Sequence, residues 1–89
     1  MSQKYRNRID IFARLLNAAG SGATNTEMMY KATLSYGQLK EYLQMLTENH
    51  LLMHDKTNRR FTITHKVYQF TEIYEDLNKL IDRSILTAN

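Results

Sequence analysis

Two helix-start signals, eleven residues apart, place the strongest constraint on how this chain folds. Both follow the capping-box pattern, in which Ser or Thr is followed three residues later by Glu or Gln. The two pairs are Thr24 with Glu27, and Ser35 with Gln38. They predict a short helix over residues 25–32 and a longer one over residues 35–49. Because only two residues remain between them, the pattern indicates two helices joined by a tight turn.

Periodic apolar residues predict the other elements. Three- and four-residue spacing indicates a first helix over about residues 5–19 and a long last helix over about residues 65–86, capped by Thr64. Residues 51–54 and 60–63 are predicted strands around a polar turn, and together they form a two-stranded hairpin. Helix, turn, helix and hairpin are typical of a winged helix-turn-helix, a mainly helical fold with a three-helix core and a hairpin wing.

Composition limits the function classes. Eighty-nine residues make one small domain with a limited core, so an oligomer is expected. The absence of cysteine excludes disulfides, thiolate zinc sites and a cysteine nucleophile, and it fits an intracellular protein. No apolar run approaches the roughly 20 residues that span a bilayer, and no signal-peptide apolar core follows the basic start. We therefore expect a cytoplasmic, nucleoid-associated protein without a membrane partner.

The charge is unevenly distributed along the chain. The net charge is +3, but residues 1–66 hold ten Lys and Arg against five Asp and Glu, whereas residues 67–89 hold two against four. The first part therefore carries +5 and the second −2. A basic first part suits contact with a polyanion, and an acidic last helix suits a different task.

The third predicted helix is the candidate for the DNA major groove, because the second helix of a helix-turn-helix contacts base edges. The candidate contact residues are Ser35, Tyr36, Gln38, Lys40 and Gln44. Gln can bond adenine twice, and Lys can contact guanine or phosphate. Capping alone also accounts for Ser35 and Gln38, and a core position also accounts for Tyr36. The side opposite the apolar stripe includes Gly37, Glu41 and Glu48, and the two carboxylates oppose non-specific attraction to DNA.

The predicted hairpin turn is cationic. Its candidate DNA contacts are Lys56, Asn58, Arg59 and Arg60, which suit phosphate contact or minor-groove insertion if they lie beside a recognition helix. A charged hairpin turn is otherwise an ordinary solvated loop. Lys31 on the second helix is a further candidate for a phosphate contact. Lys4, Arg6 and Arg8 form either a basic arm or a frayed terminus, and we favour the terminus.

The last helix carries an apolar stripe that extends beyond the rest of the domain. Its members are Phe70, Ile73, Tyr74, Leu77, Leu80 and Ile81. At 1.5 Å per residue the helix would be roughly 33 Å long, so its distal half has nothing later in the chain to cover it. Pairing with the same helix of a second chain covers it most simply. We expect residues 1–64 to form the DNA-binding domain and residues 65–89 the dimerisation helix of a homodimer.

Other chemistry-bearing residues have simpler explanations. The three histidines occur without cysteine and with only Asp55 close to His50 and His54, which makes a poor metal site. The carboxylates Glu72, Glu75 and Asp76 suit a solvated helix face. Catalytic and phosphate-cradling motifs are missing from the sequence. We therefore expect neither enzymatic activity nor a metal or cofactor.

Residues 23–52 carry a family resemblance. The stretch ATNTEMMYKATLSYGQLKEYLQMLTENHLL, and above all its part MMYKATLSYGQLKEYL, resembles small archaeal winged-helix DNA-binding proteins of about ten kilodaltons, known as the "Sso ten-a" type. Leu51-Leu52 and Thr64-x-Lys66 are also similar, so the resemblance extends nearly from end to end, through Leu77. His50 and Val67 depart from it, because the family commonly has glycine at both places.

The resemblance implies a chromatin-associated or regulatory protein that binds double-stranded DNA. It also implies dimerisation through the C-terminal helix as an antiparallel coiled coil, and the orientation of that coiled coil depends on the resemblance alone. From the residues and the resemblance together we expect a dimeric winged-helix protein that regulates transcription or organises DNA. The alternative is a winged-helix module that binds proteins and not DNA; the acidic residues of the third helix fit it, and the basic wing does not.

Overall fold

The computed structural model describes residues 7–81. Within that range the chain forms four helices and two strands. In chain order they are α1 (Arg8–Ala18), α2 (Asn25–Ala32), α3 (Tyr36–Glu48), β1 (Leu52–Asp55), β2 (Arg60–Ile63) and α4 (Lys66–Leu80). None of the helices in this range is long and apolar enough to cross a membrane. The predicted order of elements is confirmed.

Both capping boxes form. The Thr24 side chain accepts from the backbone N–H of Glu27, and the Glu27 carboxylate accepts from the backbone N–H of Thr24 at 2.8 Å. Ser35 and Gln38 make the same reciprocal pair at the start of α3, at 3.0 and 3.2 Å. Each box satisfies two backbone donors that a helix start would otherwise leave unpaired. Thr33, in the left-handed conformation with a φ of 57°, ends α2 and makes the turn tight.

The hairpin is joined to the helices by a third, one-residue strand. β1 and β2 pair antiparallel, with Leu52 opposite Ile63 and His54 opposite Phe61. On its other side, Phe61 exchanges two backbone hydrogen bonds with Ala23, at 2.8 and 3.0 Å. The sequence pattern predicts only the two-stranded hairpin, because one residue shows no alternation. Since a two-stranded ribbon is marginal in water, this contact anchors the wing to the start of α2.

One apolar core lies between α1, α2, α3 and β1. Leu15, Met28, Leu39, Leu46 and Leu52 are its largest fully buried side chains. Complete burial of such a side chain stabilises the fold by roughly 1.5–3 kcal/mol relative to exposure. α2 has only 8 residues, so its stability depends on this packing.

α4 begins differently from the prediction. The prediction that Thr64 caps the helix is wrong. The N-cap residue is His65, whose side chain makes no capping hydrogen bond. The Thr64 hydroxyl instead donates to the carbonyl of His50, because the chain passes the end of α3 at that point. α4 ends at Leu80 and Ile81 is extended, so the predicted continuation of the helix is wrong at Ile81, while residues 82–86 lie outside the described residues. The first helix begins at Arg8, after the N-cap residue Asn7, so its predicted start is too early; residues 5 and 6 lie outside the described residues.

The junction between α3 and β1 contains His50, the first of the two positions at which the chain departs from the family resemblance. His50 has a φ of 61°, a left-handed conformation in which glycine is the least strained residue. The Lys66 ammonium donates to the carbonyl of Asn49 at 2.8 Å and thereby satisfies an acceptor at the end of α3. The second departure, Val67, belongs to the core, where it is 6% exposed. The first turn of α4 is therefore fixed to both α3 and the core.

Candidate nucleic-acid interface

The outer side of α3 faces solvent along its whole length. Leu39, Leu43 and Leu46 face the core, and at 100° per residue the opposite side consists of exposed residues. Those residues are Gly37, Lys40, Glu41, Gln44 and Glu48. We call this set the outer side of α3. Because nothing within residues 7–81 covers it, the whole side is accessible to a groove of DNA.

Side-chain hydrogen bonds divide the candidates on α3 into two groups. Ser35 and Gln38 are engaged in the capping box, so the reading of these two as caps is confirmed. Gln44 donates its amide N–H to Glu48 at 3.1 Å. The Lys40 side chain has no hydrogen bond or ion pair with another residue in the described part of the chain. Its ammonium group is therefore available to bind a phosphate or another anionic group.

Exposed tyrosines flank the turn between α2 and α3. Tyr36 is 56% exposed, so the alternative that it belongs to the core is wrong. Tyr30, on the outer side of α2, is 86% exposed and was missed by the sequence reasoning. Helical geometry could have indicated this exposure, because Tyr30 lies two residues after the buried Met28 and therefore on the opposite side of α2. Lys31 is exposed beside it, whereas Lys4 and Arg6 lie outside the described residues.

The turn at residues 55–59, which we call the tip of the wing, is held together by hydrogen bonds to an acidic side chain. The Asp55 carboxylate accepts hydrogen bonds from the backbone N–H groups of Thr57 and Asn58, and from the Asn58 side chain at 2.8 Å. The bond from the Asn58 amide is the main cause that lowers the pKa of Asp55 below its ordinary value. Asn58 therefore forms the turn. Lys56 and Arg59, both exposed, are the cations of the tip, and Arg59 has a left-handed φ of 55°.

Arg60 begins β2, at the end of the strand next to the tip, and has intramolecular partners. We call Arg60 and Phe61, the two β2 residues that attach the hairpin to the rest of the domain, the root of the wing. Its guanidinium donates to the Glu27 carboxylate at 3.3 Å and to the carbonyl of Gly22 at 3.5 Å. Glu27 is the same carboxylate that completes the α2 capping box. The N–H of Thr24 is the main cause of its lowered pKa, and the positive charge of Arg60 contributes in the same direction. Arg60 thus connects the wing to α2.

The predicted interface residues of α4 divide between the core and solvent. Phe70 packs against the core, and the Tyr74 hydroxyl donates to the Asp10 carboxylate at 2.6 Å. Ile73 and Leu80 are 68% and 84% exposed. Leu77 and Ile73 also line an apolar groove of about 460 Å³ between α1, the end of α3 and α4. Ile81, which directly follows the helix, is also exposed.

The described residues offer no obvious metal-binding group. No cluster of three or more His, Asp or Glu side chains with metal-binding geometry occurs within residues 7–81. His54 is stacked on Phe61, with 4.6 Å between the ring centroids, and His65 lies against Tyr68 at 6.3 Å. These two histidines are therefore placed by aromatic contacts.

Three helices, a one-residue strand and a hairpin, with the third helix exposed along one side, define the winged helix-turn-helix class. The family model described as winged helix-turn-helix matches residues 5–82. The chain therefore belongs to the winged helix-turn-helix family. No curated protein matches it in sequence. Membership indicates DNA binding in general, and such domains typically have no enzymatic activity.

Proposed function

We propose that this protein binds double-stranded DNA as a homodimer, with α3 in the major groove and the wing on the adjacent backbone. The observation that carries the proposal is the set of three cations on these two elements whose side chains have no partner within residues 7–81. They are Lys40, Lys56 and Arg59. In the free protein these cations are solvated, whereas DNA pairs each of them with a phosphate or a base acceptor.

Each element has its own task in this proposal. α3 brings Tyr36, Lys40 and Gln44 to base edges and to the adjoining phosphates. The tip of the wing supplies Lys56 and Arg59 to the backbone or the minor groove. Lys31 and the Ser35 hydroxyl contact phosphates at the turn. Asn58, Gln38 and Arg60 hold these elements in place.

The proposed dimer uses the exposed side of α4. Ile73 and Leu80 lie on one stripe, because they are seven residues apart in a helix. Their exposure, 68% and 84%, supports a partner surface, since a second chain packed on this stripe would remove both side chains from water. In this arrangement residues 1–64 bind DNA and residues 65–89 join the protomers, by an antiparallel coiled coil as the family resemblance implies.

Two cellular roles fit such a dimer: transcriptional regulation and DNA architecture in the nucleoid. Two DNA-binding units at a fixed separation can occupy two groove segments of one duplex or bridge two duplexes. Mapping the bound DNA across the genome separates the roles, because a regulator occupies a few sharp sites and an architectural protein covers broad regions.

A second candidate function is a protein-interaction module. Glu41 and Glu48 place two carboxylates on the outer side of α3, and Glu41 adjoins Lys40 in the chain. Carboxylates at this position disfavour a phosphate backbone and suit a basic protein partner. The wing opposes this candidate, because its tip carries two cations and its single carboxylate, Asp55, is occupied by the turn.

Salt-dependent binding to duplex DNA tests the proposed function. We expect fluorescence anisotropy to show binding at low salt and a linear decrease of log K with log salt concentration. Lys40→Ala should weaken binding about fivefold or more, as expected for a lost base or phosphate contact. The matched control Lys79→Ala removes an exposed lysine from α4 and should bind like the wild type. Absence of binding by the folded wild type at low salt would contradict the proposal.

Light scattering tests the dimer separately. The wild type should have twice the monomer mass at micromolar concentration. Leu80→Glu should give a folded monomer, because it adds a charge to the exposed apolar stripe. Lys79→Glu, the neighbouring position on the other side of α4, should remain a dimer. A monomeric wild type would exclude the dimer and leave DNA binding open.

A further inference from the structure

Gly37 has no structural reason to be a glycine in the free protein. It lies in the first turn of α3, has no positive φ, and a Cβ built on it would have no atom of another part of residues 7–81 within 4 Å. Gly22 differs because its φ of 93° disfavours any side chain. Gly20 differs because its Cβ would lie 3.3 Å from the carbonyl oxygen of Asn17. Neither backbone conformation nor packing therefore accounts for Gly37.

The capping box does not require this glycine either. All the atoms that form the α3 box belong to Ser35 and Gln38. The α2 box has the same geometry, and the position equivalent to Gly37 is occupied there by Thr26. A side chain is thus compatible with the motif in this same protein.

Glycine at this position is also unfavourable for the helix. It has more freedom to lose on folding than any other residue, and alanine forms helices better. An accessible position without steric restriction therefore gains nothing from glycine as long as the protein is free. A surface that approaches α3 closely from outside would give glycine such an advantage.

Gly37 lies where such an approach is expected. It belongs to the outer side of α3, one turn before Glu41 and two turns before Gln44, and opposite the buried Leu39 and Leu43. Because it carries no side chain, the main chain of α3 is bare at the end of the helix that enters the major groove in helix-turn-helix proteins. Close approach to a ligand is one of the established uses of glycine.

We propose that the main chain at Gly37 lies directly against the DNA, and that a side chain there would hold α3 away from the groove. This inference depends on the proposed DNA binding, and it adds a residue that determines how deeply α3 enters the major groove. Lys40 and Gln44 are on the same side of α3, so a helix displaced at Gly37 also withdraws their side chains from the base edges. Gly37 is therefore a positioning residue for both.

Graded side chains at Gly37 test the inference. Gly37→Ala should weaken binding to duplex DNA roughly tenfold, comparable to the loss of one good base contact. Gly37→Leu should weaken it further, because leucine is longer and also a good helix former. The melting temperature of the free Ala variant should rise by about 2–4 °C, since the substitution favours the helix. The salt dependence should keep most of its slope, because no charge is lost.

Thr47→Ala is the matched control. It also improves helix propensity at an exposed position of α3, ten residues further along and away from the proposed contact. It should raise the melting temperature and leave DNA affinity unchanged. Wild-type affinity in both Gly37 variants would overturn the inference, and so would a lower melting temperature of Gly37→Ala. A wild type that does not bind DNA would instead refute the proposed function, whatever the variants do.

Discussion

The root and the tip of the wing carry similar cationic side chains and hold them in different ways. At the root, Arg60 donates to Glu27 and Gly22, and Phe61 bonds to the backbone of Ala23. At the tip, Asp55 accepts three hydrogen bonds from the turn, while Lys56 and Arg59 project from it without a partner in the described chain. The root is joined to the helices, and the tip presents charge.

This difference shows that the role of a cation depends on the acceptors close to it. Arg59 and Arg60 are adjacent in sequence, but Arg59 lies in the turn with a left-handed φ of 55°, whereas Arg60 is the first residue of β2. Arg60 reaches a helix-capping carboxylate, and Arg59 is exposed in the turn. The following predictions use this contrast between root and tip.

Replacement of Phe61 at the root should have the largest effect. Phe61 is half-buried, packs against the core and stacks on His54. Phe61→Ala should lower the free energy of unfolding by about 2 kcal/mol, less than the loss at a fully buried phenylalanine. Urea unfolding followed by circular dichroism measures it. Met53→Ala, an exposed site on the same hairpin, should change stability by less than about 0.5 kcal/mol. Equal losses in the two variants would contradict a special role of the root.

Removal of charge at the tip should have the next largest effect, and on DNA binding only. Lys56→Ala combined with Arg59→Ala should weaken binding roughly tenfold and reduce the slope of log K against log salt by about 1.8, or about 0.9 for each lost phosphate contact. The melting temperature should hardly change, because neither side chain has a partner in residues 7–81. An unchanged salt slope would show that the tip does not contact phosphates.

Much of the fold follows from local sequence signals. The capping boxes predicted the starts of α2 and α3, and apolar periodicity predicted the side of α3 that faces the core, because both signals involve residues within a few positions of one another. The cap of α4 was predicted wrongly. Thr64 has the right residue type, but its hydroxyl meets the carbonyl of His50, a contact between residues distant in sequence.

In the candidate site, too, local sequence signals predicted exposure but not contacts between residues distant in sequence. Outward positions on α3 were predictable from helical geometry, and the exposure of Tyr36 and Lys40 agrees with it. The engagement of Arg60 was not predictable, because its partner Glu27 lies 33 residues earlier in the chain. Sequence patterns thus locate residues on surfaces, whereas long-range contacts decide which of these residues remain available to a ligand.

The pair Arg60–Glu27 gives a sharper test of the root. Arg60→Ala should leave the salt slope of DNA binding unchanged, because Glu27 already neutralises the guanidinium. Glu27→Gln keeps an oxygen for the capping box, as Gln38 does in α3, and releases Arg60. In that background Arg60 should contact a phosphate and raise the slope by up to about 0.9, and Arg60→Ala should then remove the gain. A fall of the slope in the single variant Arg60→Ala would instead make Arg60 a DNA contact of the wild type.

The smallest expected effect is the loss of stability in acid. The carboxylate at the root and the carboxylate at the tip should lose their contributions to stability at different pH values. Folding lowers the pKa of Glu27 from its ordinary 4.5, mainly through the Thr24 N–H, and that of Asp55 from 3.8, mainly through Asn58. Each ionised carboxylate therefore stabilises the fold above its ordinary pKa, and this contribution is lost as the pH falls through the lowered value. Thermal melts at graded pH should show the contribution of Glu27 declining below about 4.5 and that of Asp55 below about 3.8. Glu27→Gln should flatten the first decline only, and Asp55→Asn the second; the reverse assignment would contradict the roles given to the two carboxylates.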